Sequence, residues 1–290
     1  MNKEITAADV VAQLRDGMTL GIGGWGPRRK PMTLVREILR SQVKDLTVVS
    51  YGGPDVGMLC AAGKVKKLVF AFATMDAIPL EPYFRKARES GAIEVMELDE
   101  GMFEWGLRAA GMRMSFLPTR VGLGSDVLAK NPSIKTIQSP YADGEVYVAM
   151  PALKLDVALL HVNEADRWGN TLLRGNDVFF DHLFARAADR CYVTTEVLRD
   201  KLKLKPEVAK DNKFERYLVH GVVNAPFGAH PTYFGPSYGW DMEHLKRYSA
   251  LAAEEGGWEK YRAEFLADES SYLTKVGGAE RVSKLPLPVF

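Results

Sequence analysis

The chemically richest stretch of the sequence is Gly21-Ile-Gly-Gly-Trp-Gly-Pro-Arg-Arg-Lys-Pro31, a glycine cluster followed by three cations and a proline at the start of the next predicted helix. Glycines let backbone N–H groups come close to a ligand, and a helix N-terminus favours anions. Such a loop could hold a phosphate, a carboxylate or a developing oxyanion, or could be only a tight turn with a solvated basic edge. Its spacing matches neither the dinucleotide fingerprint nor a Walker loop, which disfavours dinucleotide and ATP binding. A second loop, Tyr51-Gly-Gly-Pro-Asp-Val-Gly57, also follows a predicted strand. Ligands of open α/β sheets collect outside the carboxyl ends of the strands, so the two loops are expected to face one crevice.

A third strand runs into Glu97-Leu-Asp-Glu-Gly101 ahead of a helix expected over Met102 to Met112. Crowded carboxylates raise one another's pKa, so one of the three could be a general base. The plainer alternative makes Asp99 an N-cap and leaves Glu97 and Glu100 in solvent. Asp166, Gly169 and Asn170 carry turn chemistry. His230, in Gly228-Ala-His-Pro231, is best taken as a structural histidine of a turn. The five histidines lack metal-ligand spacing and no Gly-x-Ser-x-Gly elbow is present, so neither a metal centre nor a serine hydrolase is expected.

The elements that would position these residues alternate. A helix capped by Thr6 with Asp9 and ended by Gly17 is followed by a strand Met18–Ile22, a helix Met32–Arg40 and a strand Leu46–Tyr51. A short helix near Val56–Ala62, a strand Leu68–Ala73, a helix Tyr83–Glu89 and a strand Ile93–Leu98 continue the series. That order argues an open, mostly parallel sheet with helices on both faces. Lys135 to Leu173 predicts a smaller antiparallel or irregular β region, with a parallel strand resuming at Val157–His161. Beyond it, Phe179–Ala188 reads as helix, Cys191–Thr195 as a buried strand, and Lys201–Glu215 as a solvated loop or frayed helix. Nothing in the pattern divides the chain, so residues 1–290 are expected to form one domain.

Composition narrows the function classes. The 290 residues carry 38 basic and 37 acidic side chains, which gives no whole-chain electrostatic case for nucleic acid. Two distant cysteines and an N-terminus without the order of a secretory signal point to the cytoplasm and away from disulfides. No apolar run reaches the roughly 18 residues of a membrane span.

Taken together, these runs resemble the α subunit of class I coenzyme A-transferases. Gly21 to Gly26 followed by Pro31 is similar to the family's glycine loop. Pro151 to Ala158 through Ala165-Asp-Arg-Trp-Gly-Asn170 resembles its Ala-Asp-x-x-Gly-Asn signature, and Pro226-Phe-Gly-Ala-His-Pro-Thr232 resembles a C-terminal block. Within the family, Gly23 to Met32 apart from Pro27, Tyr51-Gly-Gly-Pro-Asp55, Ser90-Gly-Ala-Ile-Glu94, Asp99-Glu-Gly-Met102 and Phe180-Asp-His-Leu-Phe184 look like the branch whose members hydrolyse a carbon–carbon bond of an acyl-CoA in the breakdown of cholesterol and bile acid rings.

The resemblance implies the transferase fold and thioester chemistry, with coenzyme A present as part of the substrate and no permanently bound cofactor. It implies Glu100 as catalytic acid–base, at a position where ordinary transferase subunits carry a neutral residue, often Gln. The N–H groups of Gly23, Gly24 and Trp25 are the expected oxyanion donors. Arg28, Arg29 and Lys30, with Gly52 and Gly53, are the expected contacts to CoA phosphates or a substrate carboxylate. A β subunit of the same family is the implied partner, in an α2β2 assembly. The alternatives are a true CoA-transferase, whose nucleophilic glutamate would lie on that partner, and a non-catalytic ligand-binding protein on the same fold.

Overall fold

The computed structural model describes residues 2–175 and 178–288. Its strands are β1 (Thr19–Ile22), β2 (Leu46–Ser50), β3 (Val65–Phe70), β4 (Glu94–Glu97), β5 (Phe116–Thr119), β6 (Lys135–Gln138), β7 (Val146–Pro151), β8 (Leu155–Asp166), β9 (Thr171–Leu172), β10 (Ala188–Arg199) and β11 (Val219–Asn224). The main sheet runs in the order β11-β10-β8-β1-β2-β3-β4, and every pair along that path is parallel. β9 pairs antiparallel with β8. A separate antiparallel sheet has the order β5-β7-β6.

Successive side chains of a strand point to opposite faces, and both faces here are buried. Val48, Leu68 and Leu159 enter one core with Leu34, Ile38, Val56 and Phe84 of the helices Met32–Arg40, Pro54–Ala61 and Pro82–Glu89. Their neighbours Val49, Val69 and Leu160 enter the other, with Phe103 and Leu107 of the helix Glu100–Gly111 and Phe184 of the helix Asp181–Ala187. The chain lays β1 to β4 down in one direction and then returns β8 to the opposite side of β1. The order therefore reverses between β1 and β8, the point where an open α/β sheet opens a crevice at its carboxyl edge.

The first predicted helix is present over Ala7–Val11, with Thr6 and Asp9 forming a reciprocal capping box. The irregular β region extends further towards the N-terminus than expected, because β5 supplies an edge to β7. Lys201–Glu215 is mostly exposed and holds a single helical turn, Pro206–Ala209, with Phe214 buried. After β11 come helices Met242–Leu251, Gly257–Phe265, Glu269–Lys275 and Gly278–Ser283. Leu245, Tyr248, Tyr261 and Phe265 of these helices complete the first core.

Glu81 is buried where that core meets the sheet. Its Oε2 accepts the Phe84 N–H at 2.6 Å and caps the helix Pro82–Glu89. A Cβ added to Gly57 would come within 1.9 Å of the Glu81 carboxyl, so the Pro54–Ala61 helix needs glycine at this contact. Burial pushes the Glu81 carboxyl up to about 8, against the lowering effect of the Phe84 amide. From the ordinary carboxyl range up to about 8, unfolded Glu81 has lost the proton that folded Glu81 keeps, so stability falls as pH rises through that window. We expect Glu81→Gln to remove this dependence. Between about pH 5 and about pH 8 the wild-type melting temperature should drop by several degrees more than the variant's; equal losses would show that Glu81 does not titrate there.

Candidate active site

The glycine loop leaves β1 and turns back on itself. Trp25 N–H donates to Arg28 O at 3.0 Å and Arg28 N–H to Trp25 O at 3.1 Å. Gly24 adopts φ +77°, and a Cβ on it would stand 2.3 Å from Arg28 O. The expected oxyanion donors are already engaged: Gly23 N–H bonds Leu159 O at 2.9 Å, Gly24 N–H bonds Asp181 Oδ1 at 2.8 Å, and Trp25 N–H closes the turn. The backbone of Gly23, Gly24 and Trp25 is therefore not an open oxyanion hole.

The three cations also part company. Arg29 is 1% exposed; its Nη2 donates to Asp181 Oδ2 and to His161 O, each at 3.1 Å. Lys30 is fully buried, with Nζ 2.6 Å from Tyr51 O, 2.9 Å from Ser50 Oγ and 3.3 Å from Asp55 Oδ2. Burial lowers the proton affinity of the Lys30 ammonium, and Asp55 partly restores it. Arg29 and Lys30 thus hold the loop to the sheet and do not face a CoA phosphate. Arg28 is the cation of the three nearest solvent; it pairs with Asp76 at 3.0 Å and lies 5.3 Å from the ring centres of both Trp25 and Trp240.

Gly52 and Gly53 serve close packing. Gly52 N–H donates to Phe72 O at 2.8 Å, and Gly53 N–H to Asp55 Oδ1 at 2.8 Å. A Cβ on Gly53 would fall 2.2 Å from Gly26 O, while Gly26 N–H reaches Tyr51 O at 3.1 Å. The loops after β1, β2 and β3 are thereby joined backbone to backbone, which leaves no gap at these glycines for a ligand and corrects the expectation placed on them.

The carboxylates after β4 divide their roles. Glu97 pairs at the surface with Arg88 at 2.7 Å. Asp99 is the N-cap of the helix Glu100–Gly111 and accepts Gly101 N–H at 2.7 Å. Glu100, half-buried at the first turn, uses Oε1 to accept the indole N–H of Trp25 at 2.8 Å. That indole stacks on Phe179 (ring centres 5.0 Å apart, planes 12° apart) and meets Phe72 edge-on at 4.8 Å. Beneath them Tyr51 donates its hydroxyl to Glu100 O at 3.2 Å. Burial and the carboxylates of Glu100, Glu104 and Asp99 push the Tyr51 phenol far up, so it stays a neutral donor. The structure thus brings Trp25 and Glu100 together, although the sequence reading assigned Trp25 only through its backbone.

Other polar runs are structural. Asp166 Oδ1 accepts Trp168 and Asn170 N–H, and Oδ2 accepts Asn170 Nδ2 and Leu202 N–H, so the Ala165 to Asn170 run is a hydrogen-bonded turn. His230 is buried between Tyr272 Oη at 2.8 Å and Asp241 Oδ2 at 2.9 Å, as a structural histidine. Burial pushes His230 down despite Asp241. Asp55 and Asp181, the counter-charges of the loop, lie in the Tyr51–Asp55 and Phe180–Phe184 runs already singled out, where a buried cation nearby was the missing clue.

A parallel sheet that reverses between β1 and β8, a glycine loop pinned at that reversal and a carboxylate beside it define an α/β protein of the coenzyme A transferase fold. The coenzyme A transferase family model matches residues 4–225, and the chain belongs to that family. It is 47% identical to the cholesterol ring-cleaving hydrolase IpdA subunit of Rhodococcus jostii (strain RHA1), over 95% of this chain and 96% of that one. Its identity to the cholesterol ring-cleaving hydrolase IpdA subunit of Mycobacterium tuberculosis (strain ATCC 25618 / H37Rv) is 45%, over 95% and 97%. Among solved structures, glutaconate coenzyme A-transferase from Acidaminococcus fermentans superposes with a TM-score of 0.90 at 28% identity, covering 99% of this chain and 96% of that chain.

Removing one member of a buried ion pair leaves the other charged and unpaired, at a cost of about 3–5 kcal/mol. Arg29→Ala and Asp181→Asn should each destabilise the protein by about that amount, and the double variant by clearly less than the sum. Denaturant unfolding of all four proteins tests this; additive losses would mean that the pair is not coupled.

Proposed function

We propose that this chain is the α-type subunit of a hetero-oligomeric hydrolase that opens a carbon–carbon bond in a cyclic β-keto acyl-CoA during steroid ring degradation. The observation that carries the reading is the Glu100 carboxylate, set at the carboxyl edge of the sheet against the indole of Trp25, which Phe72 and Phe179 pack in turn, and left free of capping duty by Asp99. The two ring-cleaving hydrolase subunits at 47% and 45% identity support the choice of substrate class. Their names as subunits support a second chain, for which we infer a β subunit of the same family and an α2β2 assembly. Both cysteines are buried and free, which accords with a cytoplasmic setting.

In the reaction we infer, Glu100 takes a proton from water as the water oxygen bonds to a ring carbonyl carbon, and the carbonyl π pair moves to oxygen. Collapse of that oxyanion re-forms the carbonyl as a carboxylic acid and breaks the bond to the α-carbon, which leaves as an enolate. The enolate is stabilised by the second β-carbonyl and is protonated by Glu100, so one water is added and the carboxylate is restored. Coenzyme A enters as part of the substrate. Arg28 is the loop cation we assign to meet its anionic part.

A CoA-transferase is the second reading, favoured by the shape shared with glutaconate coenzyme A-transferase. Glu100→Gln separates the two. Loss of a positioned general base costs about 10² to 10⁴-fold in rate, so the variant complex should lose that much kcat while still binding acyl-CoA. A transferase whose nucleophile lies on the partner should keep its activity within about tenfold. Turnover of a cyclic β-keto thioester is measured beside melting temperature and acyl-CoA affinity; a folded, ligand-binding variant at the wild-type rate sinks the hydrolase reading. The chain purified without its partner should be inactive on any acyl-CoA, and turnover at the rate of the complex would remove the second subunit from the site.

A further inference from the structure

Glu100 has two oxygens, and the structure treats them differently. Oε1 accepts the Trp25 indole N–H at 2.8 Å, whereas no hydrogen bond to Oε2 is made among the described residues. The carboxylate is free to make this bond because Asp99 caps the helix in its place, taking Gly101 N–H at 2.7 Å.

The indole is held from several sides. Phe179 stacks on one face with its own backbone at φ 41°, a conformation that bulky residues adopt only when their surroundings enforce it. Phe72 meets the indole edge-on, and the Arg28 guanidinium lies 5.3 Å from its ring centre, tied at 3.0 Å to Asp76. Trp25 itself is fixed by the turn in which its backbone exchanges both hydrogen bonds with Arg28. A ring so clamped cannot swing its N–H away without breaking two aromatic contacts.

We propose that Trp25 is the positioning residue of this site: its indole N–H holds Oε1 of Glu100 in one orientation and presents Oε2 to the substrate water. The proposal rests on the reading of Glu100 as the base and adds which oxygen accepts the proton and what aims it. A carboxylate on a single side-chain rotamer keeps a proton-transfer geometry that a freely rotating one visits only part of the time. Among the described residues, Tyr51 donates its hydroxyl to the Glu100 backbone oxygen and feels the carboxylates of Glu100, Glu104 and Asp99, with Arg28 beyond the indole, and all of them persist when only the indole N–H is removed.

The test is Trp25→Phe in the assembled complex, which keeps an aromatic ring in the clamp and deletes the donor. Losing a hydrogen bond to a charged group should lower kcat roughly ten- to a hundredfold. KM for the acyl-CoA should stay within about twofold, since the bond is to the enzyme's own base. Benzothienylalanine at position 25, which keeps the shape of the indole with sulfur in place of N–H, should lose as much kcat as Trp25→Phe at the same unchanged KM. A packing defect alone would not lower kcat in that shape-preserving variant. If Trp25→Phe fails to assemble, the benzothienylalanine protein carries the test alone, and the same loss of kcat is expected. Glu100→Gln is measured alongside. An inactive Glu100→Gln with wild-type kcat in the donor-deleted protein overturns the positioning role alone, whereas a fully active Glu100→Gln overturns the reading of Glu100 as base.

Discussion

Lys30 has no exposed surface, yet its ammonium lies within reach of Tyr51 O, Ser50 Oγ and Asp55 Oδ2. One residue earlier, Arg29 is buried against Asp181 and His161 O. These two cations tie the loop after β1 to the end of β2, to the middle of β8 and to the helix Asp181–Ala187, and the geometry of this carboxyl edge follows from them. A buried ion pair is weak evidence of net stability, because desolvation opposes the Coulomb gain. Its effect is selective: any arrangement that withdraws one partner strands the other charge in the core. The loop therefore has one placement, and Trp25, four residues before Arg29, has one as well.

Close backbone approach does the rest. With Gly53 facing Gly26 O and Gly52 bonded to Phe72 O, the three loops after β1, β2 and β3 form a single hydrogen-bonded layer whose N–H groups look inward. A layer that consumes its own donors is rigid but offers few of them to a ligand. Polar chemistry on this face is left to side chains at the next strand end, where Glu100 stands. The site we propose is then half of one, to be completed by the second chain we infer.

Much of this was legible in the sequence where local chemistry decides. Apolar runs between glycine loops placed β1 to β4 within a few residues, the Thr6–Asp9 box was readable from spacing, and Asp99 before Glu100 had the form of an N-cap. Arg29 and Lys30 were misjudged because three consecutive cations after glycines look solvated, and the carboxylate that neutralises Arg29 is on a helix more than 150 positions away. The oxyanion expectation failed for a related reason, since the acceptors of Gly23 and Gly24, Leu159 and Asp181, are distant in sequence. The Trp25 to Glu100 bond spans four strands of the sheet, and only their order, itself invisible in a linear pattern, brings the two together. The helices after residue 241 follow a stretch with no strand–helix alternation, where that pattern gives no guide.

Shape and reaction separate in this family. A TM-score of 0.90 with glutaconate coenzyme A-transferase at 28% identity means that the backbone fold can be kept while most side chains change. Such a scaffold fixes where a substrate meets the protein, and the side chains at the carboxyl edge of its sheet decide what happens there. Transfer needs a nucleophile that survives as a thioester, so water must be kept from it; hydrolysis needs a base that recruits water to the same place. A carboxylate with one oxygen tied to an indole and the other without a hydrogen bond among the described residues suits the second task, because tying Oε1 restricts rotation without blocking proton transfer. On the proposed reading, the change from transfer to ring opening is therefore made without altering the sheet, through one acidic side chain and the aromatic residue that aims it.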